Sequence, residues 1–171
     1  MTDAKNRILV TAASKYQATL EIAQAIGDAL AERGFDVTIY PIEDVTAVDG
    51  YDAVVAGSAV YAGHWMKPAR EFVERYAAEL AARPVWLFSS GPIGDPPKPQ
   101  EDPVDASELV EQSGAREHRV FAGKLDRSRL SFGEKAIVLA LRAPEGDFRD
   151  WDEVRSWAMS IADSLRGGAG S

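Results

Sequence analysis

A chain of 171 residues is long enough to bury roughly 70% of its extended surface, so one domain is expected over residues 1–166, with a short flexible tail at 167–171. Nineteen Lys and Arg stand against 27 Asp and Glu, a formal net charge of −8, which argues against nucleic acid as a partner, because binding a phosphate backbone needs clustered cations. There is no cysteine, and His64 and His118 are the only histidines, which excludes disulfides, thiolate catalysis, zinc ribbons, cysteine-ligated iron–sulfur clusters and His-rich metal sites.

Ile8–Ala12 has the pattern of a short buried strand. From Ala18 to Arg33, Ile22, Ala23, Ile26, Ala29 and Leu30 recur on one helical face. Gly34 follows, the residue for which positive φ past a helix end is cheap. Val37–Ile42 alternates as a second strand, and Ala53–Ser58, nearly all small or apolar, makes a third. Pro68 sits at a first-turn position, and Ala69, Phe72, Val73, Tyr76, Ala77 and Leu80 predict one helix closed by Pro84. Val85–Ser89 is the fourth strand. Four of the nine prolines fall within Gly91–Gln100, which predicts a loop. A weaker helical pattern over Ala106–Gln112 leads to a short fifth strand at Arg119–Ala122, with His118 before it read as structural. Two helical patterns close the chain, Arg127–Arg142 and Asp150–Leu165, the second opened by Asp150 and Glu153 at capping-box spacing.

Five strands alternating with helices predict an α/β fold, a parallel sheet covered on both faces. Right-handed crossovers then favour the strand order 2-1-3-4-5. In such sheets ligands sit at the carboxyl ends of the strands, near the switch point between strands 1 and 3.

The loop after strand 1 reads Thr11-Ala12-Ala13-Ser14-Lys15-Tyr16-Gln17-Ala18-Thr19. A strand end, several hydroxyls and then a helix start form a recipe for a phosphate site, because the first helical N–H groups carry a partial positive charge. The plainer alternative is that Ser14 is only a helix cap. The loop is neither a Walker sequence nor a dinucleotide fingerprint. After strand 3 comes Gly57-Ser58-Ala59-Val60-Tyr61-Ala62-Gly63-His64-Trp65. Its small residues allow close backbone approach, and Tyr61 and Trp65 either offer faces to a flat ring or belong to the core. After strand 4, Ser89-Ser90-Gly91-Pro92 offers hydroxyls and amides to the polar edge of a heterocycle.

These three loops resemble those of the flavodoxin family, with Thr11–Thr19 similar to its FMN-phosphate loop and Gln17 standing where many members have Gly. The resemblance implies a flavodoxin-like three-layer sandwich holding FMN. Ser14, Lys15 and Thr19, with the amides of Tyr16, Gln17, Ala18 and Thr19, then correspond to the phosphate site. Ser58, Ala59, Val60, Tyr61, Gly63 and Trp65 correspond to one side of the isoalloxazine, with Tyr61 or Trp65 flanking it. Ser89, Ser90, Gly91 and Pro92 correspond to the pyrimidine side. His64 is the candidate catalytic proton donor, because histidine is the side-chain type whose unperturbed pKa lies near neutrality.

More narrowly, Gly57–His64, Val120-Phe121-Ala122-Gly123-Lys124-Leu125 and Asp150-Trp151-Asp152-Glu153 resemble the flavodoxin-like menaquinone-dependent protoporphyrinogen oxidases. That likeness implies an FMN-dependent oxidoreductase moving electrons from protoporphyrinogen, or a similar reduced substrate, to a quinone. The alternatives are a non-catalytic FMN carrier docking on a basic reductase, or a relative using a deazaflavin. A flavin-free receiver-like module would need an acidic nucleophile where Gly57 and Ser58 stand. Members of the oxidase group tend to carry a basic, aromatic-rich segment after strand 5, whereas residues 126–142 here are amphipathic and only mildly basic. They read either as a core-covering helix or as a peripheral membrane contact. The Pro-rich insert Gly91–Pro103 is a candidate lid. No apolar run approaches 18 residues and Ile8–Val10 is too short for a signal peptide, so the expected location is the cytoplasm, with at most peripheral contact at the inner face of the plasma membrane.

Overall fold

The computed structural model describes residues 7–14, 18–61, 64–90, 106–121, 124–125, 146–147 and 151–167. The proposed lid at 91–103 and the amphipathic segment at 126–142 therefore lie largely or wholly outside the described residues.

The strands are β1 (Arg7–Ala13), β2 (Asp36–Pro41), β3 (Ala53–Tyr61), β4 (His64–Trp65), β5 (Val85–Ser90) and β6 (Glu117–Phe121). They form one sheet in the order β2-β1-β3-β5-β6, parallel throughout, with the two-residue β4 folding back antiparallel on β3. With that short arm set aside, this is the expected 2-1-3-4-5 order. A separate antiparallel pair joins β7 (Lys124–Leu125) to β8 (Gly146–Asp147). The helices are α1 (Ala18–Glu32), α2 (Lys67–Arg75), α3 (Ala77–Ala81), α4 (Ala106–Ser113) and α5 (Trp151–Gly167).

Burial on both faces explains why the central strands are almost continuously apolar. Ile8, Val10, Ala12, Ala53, Val55, Trp86 and Phe88 face α1 and α5. The alternate residues Leu9, Ala13, Val54, Ala56, Val85 and Leu87 join the opposite core, with Ala69, Phe72 and Val73 of α2 and Leu109 of α4. Helix α1 ends in a Schellman motif: Gly34 lies at φ 95, its N–H donates to Ala31 O at 3.0 Å, and Phe35 N–H donates to Leu30 O at 3.3 Å. Phe35 and Leu30 are both buried in the same core.

Several elements differ from the sequence reading: β3 runs past the expected Ser58 to Tyr61, and β4 was not expected. The helix expected from Ala69 to Leu80 is divided at Tyr76, whose φ −106 and ψ 19 leave the helical region. Tyr76 N–H still donates to Phe72 O and its carbonyl still accepts from Leu80 N–H, and its ring packs 5.2 Å from Phe72. Strand β6 begins at Glu117 rather than Arg119 and takes in His118, because the polar Glu-His-Arg run still pairs with Trp86, Leu87 and Phe88. Among the described residues, no helix is long and apolar enough to cross a membrane.

Candidate functional site

Parallel pairing sets the level at which each strand ends. Ala13 lies opposite Ser58, Ser58 opposite Ser89, and Ser89 opposite Val120. Ser14, Ala59 and Ser90 each stand one residue beyond that row. β1 and β5 end at or one residue past this row, whereas β3 passes through it and runs on to Tyr61, all at one end of the sheet, where the candidate cradle lies.

At the β1 corner, Ser14 is half-buried and Thr19 only 2% exposed. Thr19 N–H donates to Ser14 Oγ at 3.2 Å, so the hydroxyl occupies an acceptor place at the start of α1 and acts as a cap. Ala18 opens that helix, while Lys15, Tyr16 and Gln17 lie outside the described residues.

At the β3 corner the hairpin is tied inward. Ser58, fully buried, accepts from Met66 N–H at 2.9 Å and donates to Ala59 O at 2.7 Å. Its hydroxyl is thus engaged within the protein rather than offered to a ligand. Val60 and Tyr61 pair with Trp65 and His64. Ala59 and Val60 are half-buried, and His64 is exposed. Trp65 differs from its expected role beside a ring. It is 1% exposed in the core under the sheet, and its carbonyl accepts from Arg70 Nε at 3.1 Å. A large apolar ring beside Ala69 and Phe72 gains more from burial than from standing at a loop surface, so as packed it offers no open face. Gly63 lies outside the described residues.

At the β5 corner, Ser89 is fully buried and Ser90 6% exposed, while Gly91 and Pro92 lie outside the described residues. Trp65 Nε1–H donates to Ser89 Oγ at 2.7 Å, and Ser89 Oγ lies 2.7 Å from His118 Nε2. This chain of indole, hydroxyl and imidazole, buried at Trp65 and Ser89 and half-buried at His118, was not visible in the sequence. It depends on registers between residues 24 and 29 positions apart, and the polar run around His118 hides its strand. Gly57 is a further finding: a Cβ there would lie 2.3–2.5 Å from the Phe88 ring. Its lack of a side chain therefore serves the aromatic core.

A doubly wound parallel sheet whose strand 1, 3 and 5 ends converge defines the class of α/β domains that bind a ligand at the switch point. The family model described as Flavodoxin domain matches residues 9–152, and the chain belongs to that family, whose cofactor is FMN. Among curated proteins it is similar to a protoporphyrinogen IX dehydrogenase [quinone] of Escherichia coli, 24% identical over 91% of this chain and 94% of that protein. Among solved structures it is similar to a flavodoxin from the domain Archaea, with TM-score 0.65, 18% identity, and coverage of 94% of this chain and 99% of the other. It also resembles rubredoxin oxygen:oxidoreductase from Desulfovibrio gigas, with TM-score 0.65 and 11% identity over 98% of this chain and 38% of that one.

Proposed function

We propose that the chain is an FMN-dependent oxidoreductase that takes electrons from protoporphyrinogen or a similar reduced organic substrate and passes them to a quinone. The observation that carries this reading is the row Ala13–Ser58–Ser89 at one end of the sheet, where β1 and β5 end within a residue of each other and β3 runs on into its hairpin. The likeness to the quinone-linked dehydrogenase, over nearly the full length of both proteins, supports the finer assignment.

The residues present fit FMN at its phosphate end. The N-terminus of the 15-residue α1 already presents Thr19 N–H to an oxygen acceptor, the Ser14 hydroxyl. A phosphate oxygen is a stronger, charged acceptor for the same donor. In this reading Ser14 and Thr19 contribute hydroxyls, Lys15 a compensating charge, and Tyr16, Gln17 and Ala18 backbone amides. The β3 corner, Ser58 to Gly63, walls one side of the ring, with Tyr61 supplying the flanking face. Trp65 and Ser89 hold that wall and its floor from beneath, and Ser90, Gly91 and Pro92 meet the pyrimidine edge. His64, exposed on the β4 arm, holds or moves a proton at the ring edge. FMN supplies the two-electron redox chemistry when bound.

The net charge of −8 favours a second reading, an electron carrier that docks on a basic reductase. One preparation distinguishes the two. The purified protein should be yellow, release FMN on denaturation, and oxidise protoporphyrinogen with a menaquinone analogue faster than free FMN does. A yellow protein with no such turnover, but with salt-sensitive electron transfer from a reductase, is the carrier. A released ligand with the mass of a deazaflavin changes the cofactor, and a colourless protein that takes up no FMN at saturation refutes both readings.

A further inference from the structure

We infer that His118 is a positioning residue for the β3–β4 wall of the cradle, acting through Ser89 and Trp65, and that protonating it loosens this wall. An indole N–H only donates, so Ser89 Oγ accepts from Trp65 at 2.7 Å. One hydrogen then has to fill the 2.7 Å contact between Ser89 Oγ and His118 Nε2. When His118 is neutral with its proton on Nδ1, Ser89 O–H donates to Nε2, so indole and hydroxyl are matched, while the buried Nδ1 has no hydrogen-bond acceptor among the described residues. When His118 is protonated, Nε2–H points at the same oxygen. Ser89 Oγ then receives two donors, and its own O–H, on a fully buried residue, must turn to another acceptor.

Trp65 is the foot of the hairpin that carries Tyr61 and His64. It pairs with Val60 through β4 and sits in the core at 1% exposure, so the hydrogen-bond chain joins that hairpin to β5 and β6. Beside β6 stand β5 and α4. Strand β5 contributes no charged side chain. On its own strand, Glu117 and Arg119 pair at 3.0 Å, and Glu117 also accepts from Trp157 Nε1 on the α5 side of the sheet. Arg116 lies over Trp86, which faces that same side. Helix α4, packed against β6, carries Glu108 and Glu111 on exposed positions. The acceptor on Nε2 exists while His118 is neutral and disappears as pH falls through its titration, so the tether weakens toward acid.

The cofactor readout rests on the FMN reading above; the indole readout does not. NMR of the full chain without cofactor would follow the Trp65 indole N–H and the His118 ring between pH 5 and 9, with FMN titrations on the same samples. In His118→Gln, Oε1 takes the place of Nε2 as a non-titrating acceptor, whereas His118→Leu and Ser89→Ala remove the link. The wild-type indole resonance should move with the His118 titration and, compared with His118→Gln at the same pH, exchange faster on the acid side. His118→Leu and Ser89→Ala should show fast exchange at every pH and, at pH 8, an FMN Kd about tenfold above wild type. At pH 5 the wild type should converge on those two variants, while His118→Gln does not. The inference is overturned by a wild-type indole signal that ignores the His118 titration. It is also overturned by FMN affinities that follow pH identically in wild type and His118→Gln. Should His118→Leu not fold, Ser89→Ala decides by the same measurements. Should the wild type bind no FMN at any pH, the cofactor reading fails and the indole data decide alone.

Discussion

Phe88 stands opposite Gly57 in the neighbouring strand, and its ring fills the space that a side chain at Gly57 would need. That ring is 6.1 Å from both Phe121 and Trp157, which are themselves 5.4 Å apart, so it has neighbours on the sides to which it would have to move. Gly57→Ala should therefore lower unfolding stability by about 2–3 kcal/mol through overpacking. A urea titration would read this as a lower midpoint, and adding Phe88→Leu should recover much of the loss. Equal midpoints for Gly57→Ala and wild type would return Gly57 to a role in ligand approach. Arg83 shows the complementary case of one side chain with many partners. Its guanidinium donates to Glu79 O at 2.6 Å, Val48 O at 3.0 Å and Tyr51 O at 2.8 Å, tying α3 to the segment that enters β3. Arg83→Met keeps the apolar stem but leaves three carbonyls without this donor, at a cost of about 1–3 kcal/mol. These contacts lie at the end of β3 opposite the cradle, so FMN affinity at 20 °C should be unchanged while the urea midpoint falls.

Helix α1 has a distinct task at each end. At its C-terminus, Gly34 adopts φ 95, and Gly34→Ala should cost about 1–2 kcal/mol, the left-handed penalty for a residue with a Cβ. Amide exchange should quicken first in the last turn, at Leu30 to Arg33. At its N-terminus, the proposed phosphate role predicts that Ser14→Ala with Thr19→Val raises the FMN Kd by about a hundredfold, since two hydroxyl partners of a charged oxygen are lost. A double variant that binds FMN as wild type does would leave Ser14 as a cap alone. Elements of this length were legible in the sequence because their apolar residues keep one period over many turns, and the central strands because they are buried on both faces. Tyr76 was not legible as a break between helices, since the apolar spacing continues across it from Phe72 to Leu80. Strand β4 is two residues long, too short to carry any period. The loops that meet at the cradle could be placed from topology alone. The engagement of Ser58 with Met66 and of Ser89 with Trp65 and His118 could not, because it is fixed by contacts between separate elements.

At the scale of the whole molecule, the net charge of −8 acts on the cofactor and on any partner in the same direction. Glu43 and Asp44 are exposed in the 3-10 turn after β2, and β2 ends at Pro41, level with Ala12, so these carboxylates lie at the cradle end of the sheet. Several cations are neutralised locally: Arg33 pairs with Asp163 at 2.7 Å and Arg155 with Glu32 at 3.1 Å between α1 and α5. These exposed pairs add little stability, but they leave the acidic excess as the field a ligand meets. Reduction adds electrons to the flavin, and negative surroundings oppose the added charge, so the bound potential should lie below that of free FMN. Screening supplies the control. The Debye length shrinks from about 30 Å at 0.01 M salt to about 8 Å at 0.15 M, which removes distant carboxylates first. Spectroelectrochemical titration across that range should raise the potential toward the free value, and the rate of electron transfer from a basic reductase should fall over the same range. A potential at or above that of free FMN at low salt would mean that positive charge or hydrogen-bond donors next to the ring outweigh the protein's overall charge.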